Sequence, residues 1–292
     1  MREIKIWQMV LIWIGSIFLV IVGDIAYSLY SGHMEMNDVM FEFILPLAVL
    51  IPILIFGRVN IKLVSERWRN FKEIVSVKEI LIVVATQIFL SIGISNLSLG
   101  FLASTNMSKA LEVANDTFGN PTTNKELVFF LISVIILAPL LEEIVFRRVI
   151  FKRLNMKLSF ITSAIISSAI FGIGHELLAI LGAVIFGVTC CALYKKYNNL
   201  LVPIAVHFLN NLIAGIMLSV NYFNGTMNEQ IGVITDYEIK ISFISGIFLT
   251  TITMIIFILF VMKNKQYLKR DNRKLEVHSS FSPTASAYQY CG

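Results

Sequence analysis

Two glutamates stand side by side in the run Leu137-Ala-Pro139-Leu-Leu-Glu142-Glu143-Ile-Val-Phe-Arg147-Arg148. Further along come Phe171-Gly-Ile-Gly-His175 and His207-Phe-Leu-Asn-Asn211. Together they offer carboxylates, two imidazoles and an amide. Such a set can take and return protons and can donate hydrogen bonds to a developing oxyanion. Each group lies in an apolar stretch. Ionisable side chains at membrane depth cost roughly 2.5–3.5 kcal/mol each on insertion scales, so they are rare and usually functional.

The spacing assigns different tasks to the two acids. Glu143 and Arg147 are four apart, acid first, which is the favourable order for an ion pair on one helix face. Glu142 points about a quarter-turn away, so it is the freer carboxylate. Pro139 removes a backbone donor and kinks the helix, which opens a route for water to Glu142. His175 is flanked by Gly172 and Gly174, which let a neighbouring helix approach closely, and Phe171, one turn earlier, packs at the site. His175-Glu176-Leu-Leu-Ala179 is not the two-histidine zinc motif, because Ala179 stands in the second histidine's place. His207 and Asn211 share a helix face and form a candidate oxyanion hole. Asn210 is off that face. Ser163, Ser167 and Ser168 are a weak signal, since membrane serines often bond their own backbone. Each group also has a bland reading: the acids answer Arg147 and Arg148 near an interface, and His and Asn act as interhelical glue. Glu142, His175 and His207 are also a plausible zinc ligand set with one position left for water.

The elements that hold these groups are membrane spans. The 292-residue chain is 57% hydrophobic and 15% charged, with a mean hydropathy of +0.78. These values predict an all-α, polytopic membrane protein. Apolar segments of about 20 residues lie at 7–30, 39–57, 79–102, 127–148, 159–177, 178–194, 200–220 and 241–262, eight in all. The first is too long for a signal-peptide core and reads as a retained span. Of 24 basic residues, 21 fall on one side of that arrangement and only Lys109, Lys125 and Lys240 on the other. The positive-inside rule then places both termini in the cytoplasm and favours access to the site from that side. It also explains the net charge of +5 without nucleic acid as a partner. Three cysteines argue against a disulfide framework. The expected organisation is an N-terminal transmembrane region over 1–126, a core over 127–220, an outer loop and last span over 221–262, and a basic, then disordered, tail over 263–292. Segment 58–78 reads as a basic inner loop, with a surface helix through Trp68 and Phe71 as the alternative. One tension remains. If spans four and five meet near Asn155, Glu142 lies 13 residues before that point and His175 lies 20 after it, roughly 20 and 30 Å along their helices.

Taken in order, Glu142-Glu143-x-x-x-Arg147, Phe171-x-x-x-His175 and His207-x-x-x-Asn211 resemble the motifs of the CPBP family. That family comprises type II CAAX prenyl endopeptidases and bacteriocin-processing or immunity proteins. The resemblance implies an eight-helix intramembrane protease. Glu142 would be the general base, assisted by His175, with His207 and Asn211 on the oxyanion and Glu143, Arg147 and Phe171 shaping the site. Members are often labelled metalloproteases. A metal-free mechanism is favoured here, because Asn211 suits an oxyanion better than zinc. The expected partners are the bilayer and a membrane-associated peptide or protein. The Ile/Lys/Asn-rich composition points to a bacterial plasma membrane and to a peptide pheromone or bacteriocin precursor. One rival is a non-catalytic immunity or sensor-modulating protein on the same scaffold. A proton-coupled transporter is the weaker rival, because the polar groups cluster in one 70-residue stretch rather than in paired repeats.

Overall fold

A computed structural model describes residues 4–32, 36–116, 120–227 and 229–268. Among these residues all regular structure is helical. In chain order the helices are α1 (Ile6–Ser31), α2 (Asp38–Phe56), α3 (Ile61–Ile74), α4 (Val77–Thr105) and α5 (Met107–Ala114). There follow α6 (Asn124–Lys157), α7 (Phe160–Ile173), α8 (Ile180–Tyr197), α9 (Leu201–Asn224) and α10 (Asp236–Leu268). Seven of them are long and apolar enough to cross a membrane.

Polar residues mark the helix ends. The side chains of Asn37, Asn60, Ser76, Asn106, Thr123 and Ser159 each accept a backbone N–H from the first turn that follows, which satisfies donors the helix cannot. Gly225 closes α9 at φ 76°, a left-handed conformation that glycine adopts without strain. Outside, the bundle is apolar: Leu29, Phe18, Ile161 and Phe248 are well exposed. Inside, it buries Gln87, Glu143, Arg147, Ser163, Ser167, Ser168, Thr189 and His207. An apolar exterior with a polar interior is what a lipid solvent selects.

Close antiparallel crossings fix the register. A Cβ on Gly93 would stand 2.7 Å from Thr250 Oγ1, and one on Gly246 would stand 2.7 Å from Leu97 Cγ, so α4 and α10 approach nearly backbone to backbone. The α7–α8 hairpin does the same: a Cβ on Gly172 would meet Val184 Cγ2 at 2.5 Å, and one on Gly187 would meet Ser168 Cβ at 2.7 Å. Helix α9 lies against α6, where Gly215 admits Ile135 and Leu131.

Three departures from the sequence reading matter for the site. First, the expected fifth span is only the 14-residue α7, roughly 21 Å long against a core of about 30 Å. His175 lies beyond its end, in the connection to α8. Second, α6 continues to Lys157, so the turn falls at Leu158–Ser159 rather than at Asn155. Glu142 is then fifteen residues before the end of α6 and His175 fifteen after the start of α7, and the depth mismatch disappears. Third, segment 58–78 contains the helix α3. Its Trp68 and Phe71 rings stack at 5.6 Å, and Arg67 Nη1 donates to the Asn198 carbonyl at 2.8 Å, tying α3 to the α8–α9 turn. The tail from Lys269, and His33 and His278, lie outside the described residues.

Candidate active site

Helix α6 is not a plain α-helix. It widens into π-helix at Ser133–Leu137 and again at Glu143–Phe151, and such bulges are frequent at functional sites. Pro139 accounts for the first. The Ala138 N–H bonds to the Ser133 carbonyl, five residues back. In that register the Val134 carbonyl would next receive the N–H of residue 139, and proline has none. Asn211 on α9 supplies the missing donor: its Nδ2 lies 2.7 Å from the Val134 carbonyl. Asn210 Nδ2 in turn donates to Asn211 Oδ1 at 3.3 Å, which orients the amide. In the second π segment the Ser167 hydroxyl donates to the Phe146 carbonyl at 2.8 Å. The widened helix is thus stitched to its neighbours by side chains that donate to its Val134 and Phe146 carbonyls.

Glu143 is the centre of the charged cluster. Its side chain is fully enclosed, at 0% exposure. Oε2 lies 3.0 Å from Arg147 Nε, and Oε1 lies 2.9 Å from His207 Nδ1. The expected Glu143–Arg147 pair is therefore present, and Glu143 also holds an imidazole. Arg147 Nε and Glu143 Oε2 are close but miss hydrogen-bond angles, and Arg147 Nη1 and Nη2 have no hydrogen-bond acceptor among the described residues. Charge holds this pair, together with the Phe171 ring, whose centroid lies 4.6 Å from the guanidinium carbon. Such stacking suits the planar, weakly hydrated guanidinium.

His207 sits between the two acids. A carboxylate only accepts, so Nδ1 donates to Glu143 and the lone pair of the neutral ring lies on Nε2. Nε2 faces Glu142 Oε2 at 3.6 Å, beyond direct hydrogen-bond reach. Glu142 keeps 28% of its side chain exposed, whereas Glu143 keeps none. The division between a held acid and a freer one is therefore present, but the imidazole beside Glu142 belongs to His207.

The His175 ring lies against Phe171, with centroids 4.6 Å apart, and its Nδ1 is 3.0 Å from the Phe171 carbonyl. Since that carbonyl accepts, Nδ1 carries the proton and Nε2 is the basic atom. Phe171 is the hub of the site: buried, it touches Arg147, His175, His207 and Phe146. Phe186 from α8 packs edge-on against His207 at 4.9 Å. Nothing in the sequence distinguishes Phe186 or Phe146 from other apolar core residues. The support from Asn210 and Ser167 was also missed. Pro139, whose orphaned carbonyl calls for a donor from another helix, was the available signal for a supporting amide.

A zinc site needs three ligands about 2.0–2.2 Å from one point. Among the described residues no three His, Cys, Asp or Glu side chains converge in that way. Nδ1 of His207 is taken by Glu143 and Nδ1 of His175 by its own backbone. Nε2 of each ring stays open, as it also would in a zinc-bound histidine, so the point at which Glu142, His175 and His207 fall short of a zinc site as arranged is their convergence.

The comparison with known families falls on the part of the chain that carries this site. Residues 124–213 match the model of the family described as type II CAAX prenyl endopeptidase Rce1-like. The putative membrane peptidase YdiL of Bacillus subtilis is 41% identical over 83 residues, 28% of this chain and 34% of that protein. The membrane-embedded CAAX protease MroQ of Staphylococcus aureus is 31% identical over 137 residues, 44% of this chain and 51% of that protein. The chain thus spans about a third and about half of these curated relatives. No solved structure matches. The segment matched by the family model carries α6 through most of α9 and every group of the site, and over that segment this multi-pass membrane protein is similar to the type II CAAX prenyl endopeptidase Rce1-like family.

Proposed function

We propose that the protein is a membrane-embedded endopeptidase in which Glu142 activates water for attack on a peptide bond. The observation that carries this reading is His207, wedged between a fully buried Glu143 and a partly exposed Glu142. At 3.6 Å, Glu142 Oε2 and His207 Nε2 leave room for a water about 2.8 Å from each. Glu142 takes one proton from that water, and Nε2 of His175 accepts the second O–H and orients it. The water oxygen bonds to the scissile carbonyl carbon, and the carbonyl π pair moves onto oxygen. The second amide N–H of Asn211 meets this oxyanion. Collapse breaks the C–N bond, and Glu142 returns its proton to the leaving amine. The products are a carboxylic acid and an amine, and the acid gives its remaining proton to the amine to leave a carboxylate and an ammonium, with no change in oxidation state. The substrate class is a membrane-associated peptide or protein precursor.

The test compares membranes of cells producing the wild type with those producing Glu142→Gln, by sequencing new peptide termini. Termini made only by the wild type are expected. The same termini at the same abundance in the variant would refute peptidase function through Glu142. The mechanism as proposed uses no metal. Cleavage by purified protein should survive chelation, with no stoichiometric zinc on elemental analysis. Activity lost to a chelator and restored by zinc would overturn that part.

A further inference from the structure

Where α4 begins and α8 and α10 end, a cleft of about 740 Å³ opens between the three helices. Its rim is polar: Lys78, Lys196 and Lys263 surround a single carboxylate, Glu79, with the hydroxyls of Tyr197 and Tyr267 alongside. Lys196 Nζ chelates Glu79, at 2.6 and 2.7 Å from the two oxygens, and the Tyr197 hydroxyl donates to the same carboxylate. Lys196 also lies 5.8 Å from the centroid of the Tyr267 ring, so Lys196, Glu79 and Tyr197 form an ordered network, with Lys78 and Lys263 exposed beside it. One glutamate neutralises one lysine, and the cleft keeps a positive surplus. Its floor is apolar: Ile82, Val83, Leu259 and Phe260 line the space beneath the rim. None of these groups belongs to the Glu142 site.

A positive rim over an apolar floor, at the ends of three membrane helices, matches an anionic amphiphile. The headgroup phosphate would meet the lysines and tyrosine hydroxyls, and an acyl chain would lie along the floor. We propose that this cleft binds an anionic phospholipid. A free inorganic anion would have no use for the floor, and a zwitterionic lipid would carry no net charge to match the surplus. The α3–α4 junction, through Ile74 and Ser76, forms part of the wall. Helix α3 packs on toward the base of α9, where Phe71 and Val75 join the cluster that holds Val202 and Val206. A lipid seated here would thus brace the helix that carries His207.

The test is lipid binding to the purified, full-length protein in detergent, read by native mass spectrometry. The probes are phosphatidylglycerol and phosphatidylcholine with the same acyl chains. Phosphatidylglycerol should be retained several-fold more strongly. Lys78→Gln combined with Lys263→Gln should weaken that retention roughly twentyfold, at about fivefold per lysine, with no change in melting temperature. Leu259→Trp, which fills the floor from an exposed position, should weaken binding as well. Equal retention of the two lipids would overturn the proposal. So would unchanged affinity in either variant, or displacement of phosphatidylglycerol by millimolar inorganic phosphate. The readout does not involve peptide cleavage, so it stands or falls separately from the proposed activity.

Discussion

At the scale of single residues, the two adjacent acids have different surroundings, and those surroundings predict opposite failures. Glu143 compensates Arg147, which is 1% exposed, and removing one partner of a buried ion pair costs about 3–5 kcal/mol. Glu143→Gln should therefore lower the melting temperature sharply, and circular dichroism on heating would show it. A variant that melts with the wild type would mean that Arg147 finds another counter-charge. Phe171→Leu should reduce activity more than stability, because it keeps an apolar filler but removes the face that Arg147 and His175 share. Cleavage rate and melting temperature, taken on the same sample, would separate the two effects. The Glu143–Arg147 pair was legible in the sequence because it depends only on helical spacing. The contact of His207 with both acids was not, because it depends on how α9 lies against α6.

At the scale of elements, α6 and the α7–α8 hairpin set the geometry. The orphaned Val134 carbonyl is satisfied by Asn211 because residue 139 is a proline. Asn211→Leu should cost about 1–3 kcal/mol by leaving that carbonyl buried without a donor. Pro139→Ala restores a backbone N–H, so the double variant should be more stable than the sum of the two single effects, with a coupling of roughly 0.5–3 kcal/mol. Strict additivity in denaturation would show that the two residues do not serve the same carbonyl. Gly172→Ala sets a Cβ 2.5 Å from Val184 Cγ2 and 3.1 Å from the Ile180 carbonyl. The side chain can turn away but the backbone cannot, so a cost of about 1–3 kcal/mol is expected, with lost cleavage as His175 shifts. The disruption at Pro139 was legible in the sequence. Its π-helical form was not, since the donors that make it tolerable come from α7 and α9. The close approach at Gly172 was also legible, but the early end of α7 was not, because apolar residues resume at Leu177 and Leu178 directly after His175 and Glu176.

At the scale of the whole molecule, the described residues form seven helices of spanning length and one short apolar helix, α7. If α7 and α8 enter and leave the membrane as a hairpin, the crossings number eight and both termini share a side. The distribution of basic residues predicts that this side is the cytoplasm. Reporter fusions to the two ends should report the same compartment, and opposite compartments would mean that α7 does not cross. The expected count of eight spans was not met, since the fifth is only the 14-residue α7, but the all-helical membrane class was readable because a bilayer demands long apolar runs. The tight α4–α10 crossing was not, since glycines at 93 and 246 meet only after 150 residues of chain have folded between them. The measurement that bears most directly on the account is cleavage by purified Glu142→Gln, with its melting curve taken on the same preparation. Loss of general-base catalysis by at least a hundredfold, with the melting temperature unchanged, is the predicted result, because Glu142 is partly exposed and holds no buried charge in place. Cleavage at the wild-type rate by a folded Glu142→Gln protein would contradict it.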